Sequence, residues 1–136
     1  MRTKTVLSAD DTANIITAAK AEALAKGWNV SIAVVDEGGY LMHLERMDSA
    51  PLPSAEIAFL KAKTAAIAKA STKTLEDIVK DRPAVALMPG RLPVQGGVPI
   101  LHHGECIGGI GVSGVKSHED EVVAMAGLAA LLGNVA

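Results

Sequence analysis

The run Gly108-Gly109-Ile110-Gly111-Val112-Ser113-Gly114 puts four glycines into seven residues. Glycine has no side chain to pack, so such a run holds together in a strand only where another backbone comes close to it. The spacing Gly109-x-Gly111-x-x-Gly114 also matches the dinucleotide-binding fingerprint letter for letter. That fingerprint works only inside a βαβ unit, with an acidic residue about 20 positions further on to hold a ribose. Only residues 115–136 remain after the run, with no further strand and no such acid, and a hairpin through Gly104 leads into it. The run therefore reads as an antiparallel strand and its exit turn packed under a helix, and no nucleotide is expected.

Local signals place the other elements. Ser8 with Asp11 forms a capping box, and Ile15, Ile16, Ala19, Ala23 and Leu24 then recur at helical spacing until Gly27. Asn29 to Asp36 is rich in β-branched residues, and Glu37-Gly38-Gly39 reverses the chain into a second strand, Tyr40 to Arg46. Pro51, Pro53 and Ser54 launch a helix through Ala70 with Ile57, Leu60, Thr64 and Ile67 on its apolar stripe. Thr74 and Asp77 suggest a capping box for a short helix halted at Arg82-Pro83. The proline- and glycine-punctuated segment Ala84 to Gly97 is expected to be irregular, with room for one short strand around Arg91 to Val94.

Val98 to His102 and Glu105 to Val112 form a second hairpin through His102-His103-Gly104, and Ser117 with Asp120 opens a closing helix apolar enough to be largely buried. Two hairpins without crossover helices imply an antiparallel sheet, with helices left to cover its faces. The expected class is α+β, a two- or three-layer sandwich, and 136 residues are sized for one domain, 1–136.

Composition narrows the partners. Aromatic residues are 2% of the chain and the net charge is −2, which leaves neither stacking platforms nor an excess positive field for nucleic acid. The apolar runs fall far short of a membrane span, and no apolar signal core develops after Met1-Arg2-Thr3-Lys4, so a cytoplasmic protein is expected. Cys106, the one cysteine, forms no internal disulfide and alternates with Gly108 and Ile110 as a small strand residue. His43, His102, His103 and His118 have no carboxylate or thiol at metal-motif spacing, so no metal site is expected.

The candidate ligand-binding residues are Arg46, Asp48, Lys61, Gly96 and Gly97. Arg46 and Asp48 sit where an apolar strand gives way to a loop, a place where ligand groups converge. Lys61 lies beside the apolar stripe of its helix. Paired with Asp48 or Asp36 it would be a structural ion pair; unpaired, it or Arg46 would hold a ligand carboxylate. Gly96-Gly97 before a strand permits close backbone approach.

Together, Val34-Val35-Asp36-x-Gly38-Gly39, Glu45-Arg46-Met47-Asp48-x-Ala50, Lys61-Ala62-x-Thr64-Ala65, Gly96-Gly97-x-Pro99-Ile100, Gly104-x-x-Ile107 with the glycine run, and Asp120-Glu121 resemble the GlcG/HbpS family of haem-degrading or haem-binding domains, also found at the C-terminus of PduO-type proteins. The resemblance implies a profilin-like α/β/α sandwich around a central antiparallel sheet, assembling as a homo-oligomer. It implies haem, or a related anionic small molecule, as ligand and no particular iron-binding residue. Two alternatives remain. One is an acid–base enzyme of lyase or isomerase type acting on a small organic acid, with Arg46 or Lys61 binding carboxylate. In the other, the charges only secure subunit contacts.

Overall fold

The structure, a computed structural model, describes the backbone of residues 1–135 and the side chains through Leu132. Helix α1 (Ala9–Lys26) opens on the expected capping box: the Asp11 amide donates to the Ser8 hydroxyl at 3.1 Å and the Ser8 amide to the Asp11 carboxylate at 2.8 Å. Gly27 ends it in the left-handed conformation, φ 72°. Strands β1 (Ser31–Asp36), β2 (Leu41–Arg46), β3 (Gly97–His102) and β4 (Glu105–Ser113) form one sheet in the order β2-β1-β4-β3, with every pair antiparallel. Helices α1 and α4 (Ser117–Val135) cover one face and α2 (Ser54–Ala68) the other, so the molecule is an α+β sandwich of three layers.

The pairing of β1 with β4 explains the glycines. Ile32 stands opposite Val112 and Val34 opposite Ile110, and these four are fully buried against Ile15, Ala19 and Val123 of α1 and α4. The intervening pairs, Ala33 with Gly111 and Val35 with Gly109, face α2. There the helix lies directly on bare strand backbone: a Cβ at Gly97, Gly109 or Gly111 would collide with the carbonyl oxygen of Lys61, Ala62 or Ala58. Large side chains cannot enter so close a contact. The buried stripe of α2 is accordingly Ala58, Lys61, Ala62, Ala65 and Ala66 with Thr64, while Ile67 stays 36% exposed and Ile57 and Leu60 are half-buried. The expected Ile57/Leu60/Ile67 stripe is thus rotated away from the core, and α2 stops at Ala68 because Lys69 turns left-handed, φ 55°.

Four other local expectations change. Ser71, not Thr74, caps α3 (Thr72–Asp81), and Asp77 pairs instead with Lys73 and Lys80 at 2.9 and 3.2 Å. At the start of α4 the Lys116 carbonyl accepts the Asp120 amide and the Glu119 carboxylate reaches back to the Lys116 amide, which leaves Asp120 free for the interior. No strand forms over 91–94. That segment follows a 3₁₀ turn, Pro83–Leu87, and is tied down by the Leu92 amide donating to the Thr64 hydroxyl at 2.8 Å. Helix α4 is also less buried than its composition suggests, since Val122, Met125 and Leu132 are 42–49% exposed.

Candidate ligand-binding site

The β1–β2 turn is organised by one carboxylate. Asp36 Oδ1 accepts the amides of Gly38 and Tyr40, each at 2.9 Å, and Gly39 supplies the positive φ of 82° that closes the turn. Tyr40 is thereby set with its ring over Gly38, where a Cβ would stand 3.1 Å from ring carbons Cδ2 and Cε2. Beside the turn, the N-terminal segment crosses the sheet, anchored by buried Leu7 and by an ion pair from Lys4 to Glu37. A surface pocket of about 400 Å³ opens between them, with Val6, Leu7, Tyr40, Met42 and Ile107 as its apolar wall. Its size is that of a drug-sized ligand, about 300–1,000 Å³. Lys4 is the cation in this lining and is already matched by Glu37, so apolar contact rather than charge would hold a ligand here.

Arg46 and Asp48 lie elsewhere, in a more polar depression of about 580 Å³ shared with Lys20, Asn29 and Glu45. Lys20 is paired with Glu45 at 3.0 Å, and the Arg46 guanidinium makes one long bond, 3.4 Å, to the Leu52 carbonyl. Lys61 joins neither group. Its ammonium is buried at the end of β4, donating to the Val112 carbonyl at 3.0 Å and to Asp120 Oδ2 at 2.9 Å. The partner is therefore Asp120, not Asp48 or Asp36. The pair links α2 to α4 across the sheet, and Asp120 Oδ1 also accepts the Val115 amide at 3.2 Å. Burial pushes the Asp120 carboxyl above its ordinary value, with the Lys61 hydrogen bond and charge pulling the other way. Gly96 and Gly97 complete this cluster: a Cβ at 96 would stand 2.7 Å from the Lys61 Nζ. The five candidate residues thus fall into two sites, one an open depression and one a packed interior.

His102 ends β3 and His103 opens the turn into β4, with ring centroids 4.2 Å apart, and His102 borders a small apolar pocket of about 140 Å³. Cys106 is half-buried, its thiol donating to the Ala66 and Gly108 carbonyls. Among the described residues, no three His, Cys, Asp or Glu side chains gather as a metal site, and no helix is long and apolar enough to cross a membrane. Sequence reasoning missed Leu7, Tyr40, Met42 and Ile107 as a group. The signal available was the Asp36-x-Gly38-Gly39 turn, which sets Tyr40.

Residues 7–129 match the family model described as haem-degrading protein HbpS-like. Protein GlcG of Escherichia coli K12 is 42% identical over 114 residues, covering 83% of this chain and 85% of that protein. Corrinoid adenosyltransferase PduO of Salmonella typhimurium is 33% identical over 107 residues, but the match spans only 32% of its length. Among solved structures, a double mutant of Streptomyces reticuli HbpS superposes with a TM-score of 0.90 at 35% identity, covering 95% of this chain and 89% of that one. A PduOC–haem complex superposes with a TM-score of 0.85 at 30% identity, covering 93% and 95%.

Proposed function

This chain belongs to the HbpS-like family, and on that premise we propose that it binds haem in the pocket beside the β1–β2 turn, as a subunit of a homo-oligomer. The observation that carries the reading is the apolar wall of Val6, Leu7, Met42 and Ile107, which suits the face of a porphyrin, with side chains of types able to ligate iron at its edge. The residues present fit the group: Tyr40 and Met42 are both side chains of types that ligate haem iron. Lys61, Gly96 and Gly97 serve as scaffold by seating α2 on the sheet. Support for assembly comes from apolar side chains left in solvent at two places: Leu41 and Leu44 on edge strand β2, and the Val122/Met125/Leu132 stripe of α4. A reducing cytoplasm agrees with the lone thiol of Cys106.

Titrating ferric haem into the purified protein tests the reading. A saturable Soret shift at micromolar protein is expected, weakened by Val6→Glu, which puts a charge on the apolar wall, and unchanged by Arg46→Ala. The absence of a saturable shift removes haem as the ligand.

A second reading, acid–base chemistry on a small organic acid, is favoured by one observation: the Arg46 guanidinium keeps most of its donors unused beside the carboxylates of Glu45 and Asp48. Calorimetric binding of a small dicarboxylate that Arg46→Ala abolishes would select it.

A further inference from the structure

We infer that Tyr40 is the residue that ligates the iron, through its phenolate oxygen. The inference rests on the haem reading above and deepens it. Four of the side chains lining the pocket offer oxygen or sulfur donors to a metal: Asp36, Glu37, Tyr40 and Met42. Asp36 already accepts two backbone amides through Oδ1, and Glu37 is engaged by Lys4. Tyr40 is 75% exposed, and its hydroxyl makes no hydrogen bond within the described residues. It is thus the oxygen-bearing side chain at the pocket edge with no bond of its own, whereas the second oxygens of Asp36 and Glu37 belong to carboxylates already held by the turn amides and by Lys4.

Chemistry separates Tyr40 from Met42. A ferric ion is a hard acid and favours an anionic oxygen, whereas a thioether is a soft donor. Binding forms one O–Fe bond and breaks the phenol O–H bond, with the proton going to solvent and no change in oxidation state. Histidine would be the usual rival, but none of the four lines this pocket. His102 borders the neighbouring cavity of about 140 Å³, which is below the roughly 300 Å³ lower bound of small-molecule pockets.

The turn gives this placement its rigidity. The Asp36 carboxylate fixes the Tyr40 amide, and bare Gly38 lets the ring lie down on the turn. The Asp36-x-Gly38-Gly39 sequence is therefore a positioning device for Tyr40.

The test compares wild type with Tyr40→Phe, Met42→Leu and His102→Gln, using ferric haem and iron-free protoporphyrin as probes, with absorption, EPR and porphyrin fluorescence as readouts. Wild type is expected to show a high-spin ferric signal with a phenolate-to-iron charge-transfer band. Tyr40→Phe, a change at an exposed ring, should lose that band and weaken ferric haem binding roughly tenfold or more, while binding iron-free protoporphyrin as wild type does. His102→Gln, outside this pocket, should keep the wild-type spectrum and affinity, and Met42→Leu, a change in the apolar wall, should keep the charge-transfer band whatever its affinity. A Tyr40→Phe protein with an unchanged spectrum and affinity, or loss of the band in either other variant, overturns the assignment while leaving haem binding intact. A wild-type protein that takes up no haem overturns the underlying reading instead.

Discussion

Removing the Lys61 ammonium should be among the most damaging single changes available on α2. Lys61 and Asp120 are each 3% exposed at the side chain and stand 2.9 Å apart. Lys61→Met keeps the aliphatic stem but leaves a carboxylate buried without its cation. Breaking a buried pair in this way costs about 3–5 kcal/mol, against a total stability of about 5–15 kcal/mol for a domain. At roughly 3–5 °C per kcal/mol for a chain of this size, the melting temperature should fall about 10–20 °C.

The pH dependence gives a second signature. The Asp120 carboxyl already titrates above its ordinary value of 3.8 because it is desolvated, and Lys61 supplies the largest influences lowering it. With a folded pKa above the unfolded one, the native state binds the proton more tightly. The contribution of this group to stability is therefore full below pH 3.8 and is lost as pH rises through the folded pKa. Without Lys61 the folded pKa rises further, so the loss extends to higher pH. Lys61→Met should thus lie closest to wild type in acid and fall away towards neutrality. Lys61→Met/Asp120→Asn removes the charge while keeping an oxygen for the Val115 amide, and should recover most of the loss with that pH dependence gone. Urea melts between pH 4 and 8 read all three proteins. A Lys61→Met loss under about 1 kcal/mol, or one that does not vary with pH, would refute the reasoning.

Gly111→Ala drives a methyl into the Ala58 carbonyl and should exceed the usual overpacking cost of about 1–3 kcal/mol, read as loss of soluble protein or a large drop in melting temperature. Gly104→Ala, with open space around it and φ 80°, should cost only about 1–3 kcal/mol from backbone strain. Leu44→Glu on β2 or Met125→Glu on α4 should reduce the oligomer measured by light scattering, and an unchanged mass for both would remove those surfaces as the interface.

Much of the backbone plan was readable because its signals are local. The Ser8/Asp11 box, Gly27, the two hairpin turns and the β-branched strands each act over a few residues, and each was recovered in place. The failures share one cause. Thr74, Asp77, Ser117 and Asp120 carry side chains suited to helix capping, but what they do is decided by neighbours far along the chain or one turn away. Asp120 shows this best: its spacing from Ser117 fits a cap, while the buried ammonium of a residue 59 positions earlier claims it. The α2 stripe fails for the same reason. Hydrophobicity favours Ile57 and Ile67, but the opposing strand offers bare backbone, and only small residues can approach it.

The glycine run also shapes the pocket. Gly97, Gly109 and Gly111 admit α2 on one face of the sheet, while Gly108 works on the other. It pairs with Asp36, and a Cβ there would collide with the Val35 carbonyl and stand 2.7 Å from Leu7 Cδ1. Leu7 is the buried anchor of the N-terminal segment, and that segment forms one wall of the pocket opposite the Asp36 turn. A side chain at 108 would therefore displace Leu7 and, with it, the wall facing Tyr40. The glycine at 108 makes room for the pocket without touching a ligand. Its influence on the pocket passes through the seat of Leu7, a contact between residues far apart in the chain that glycine spacing does not encode.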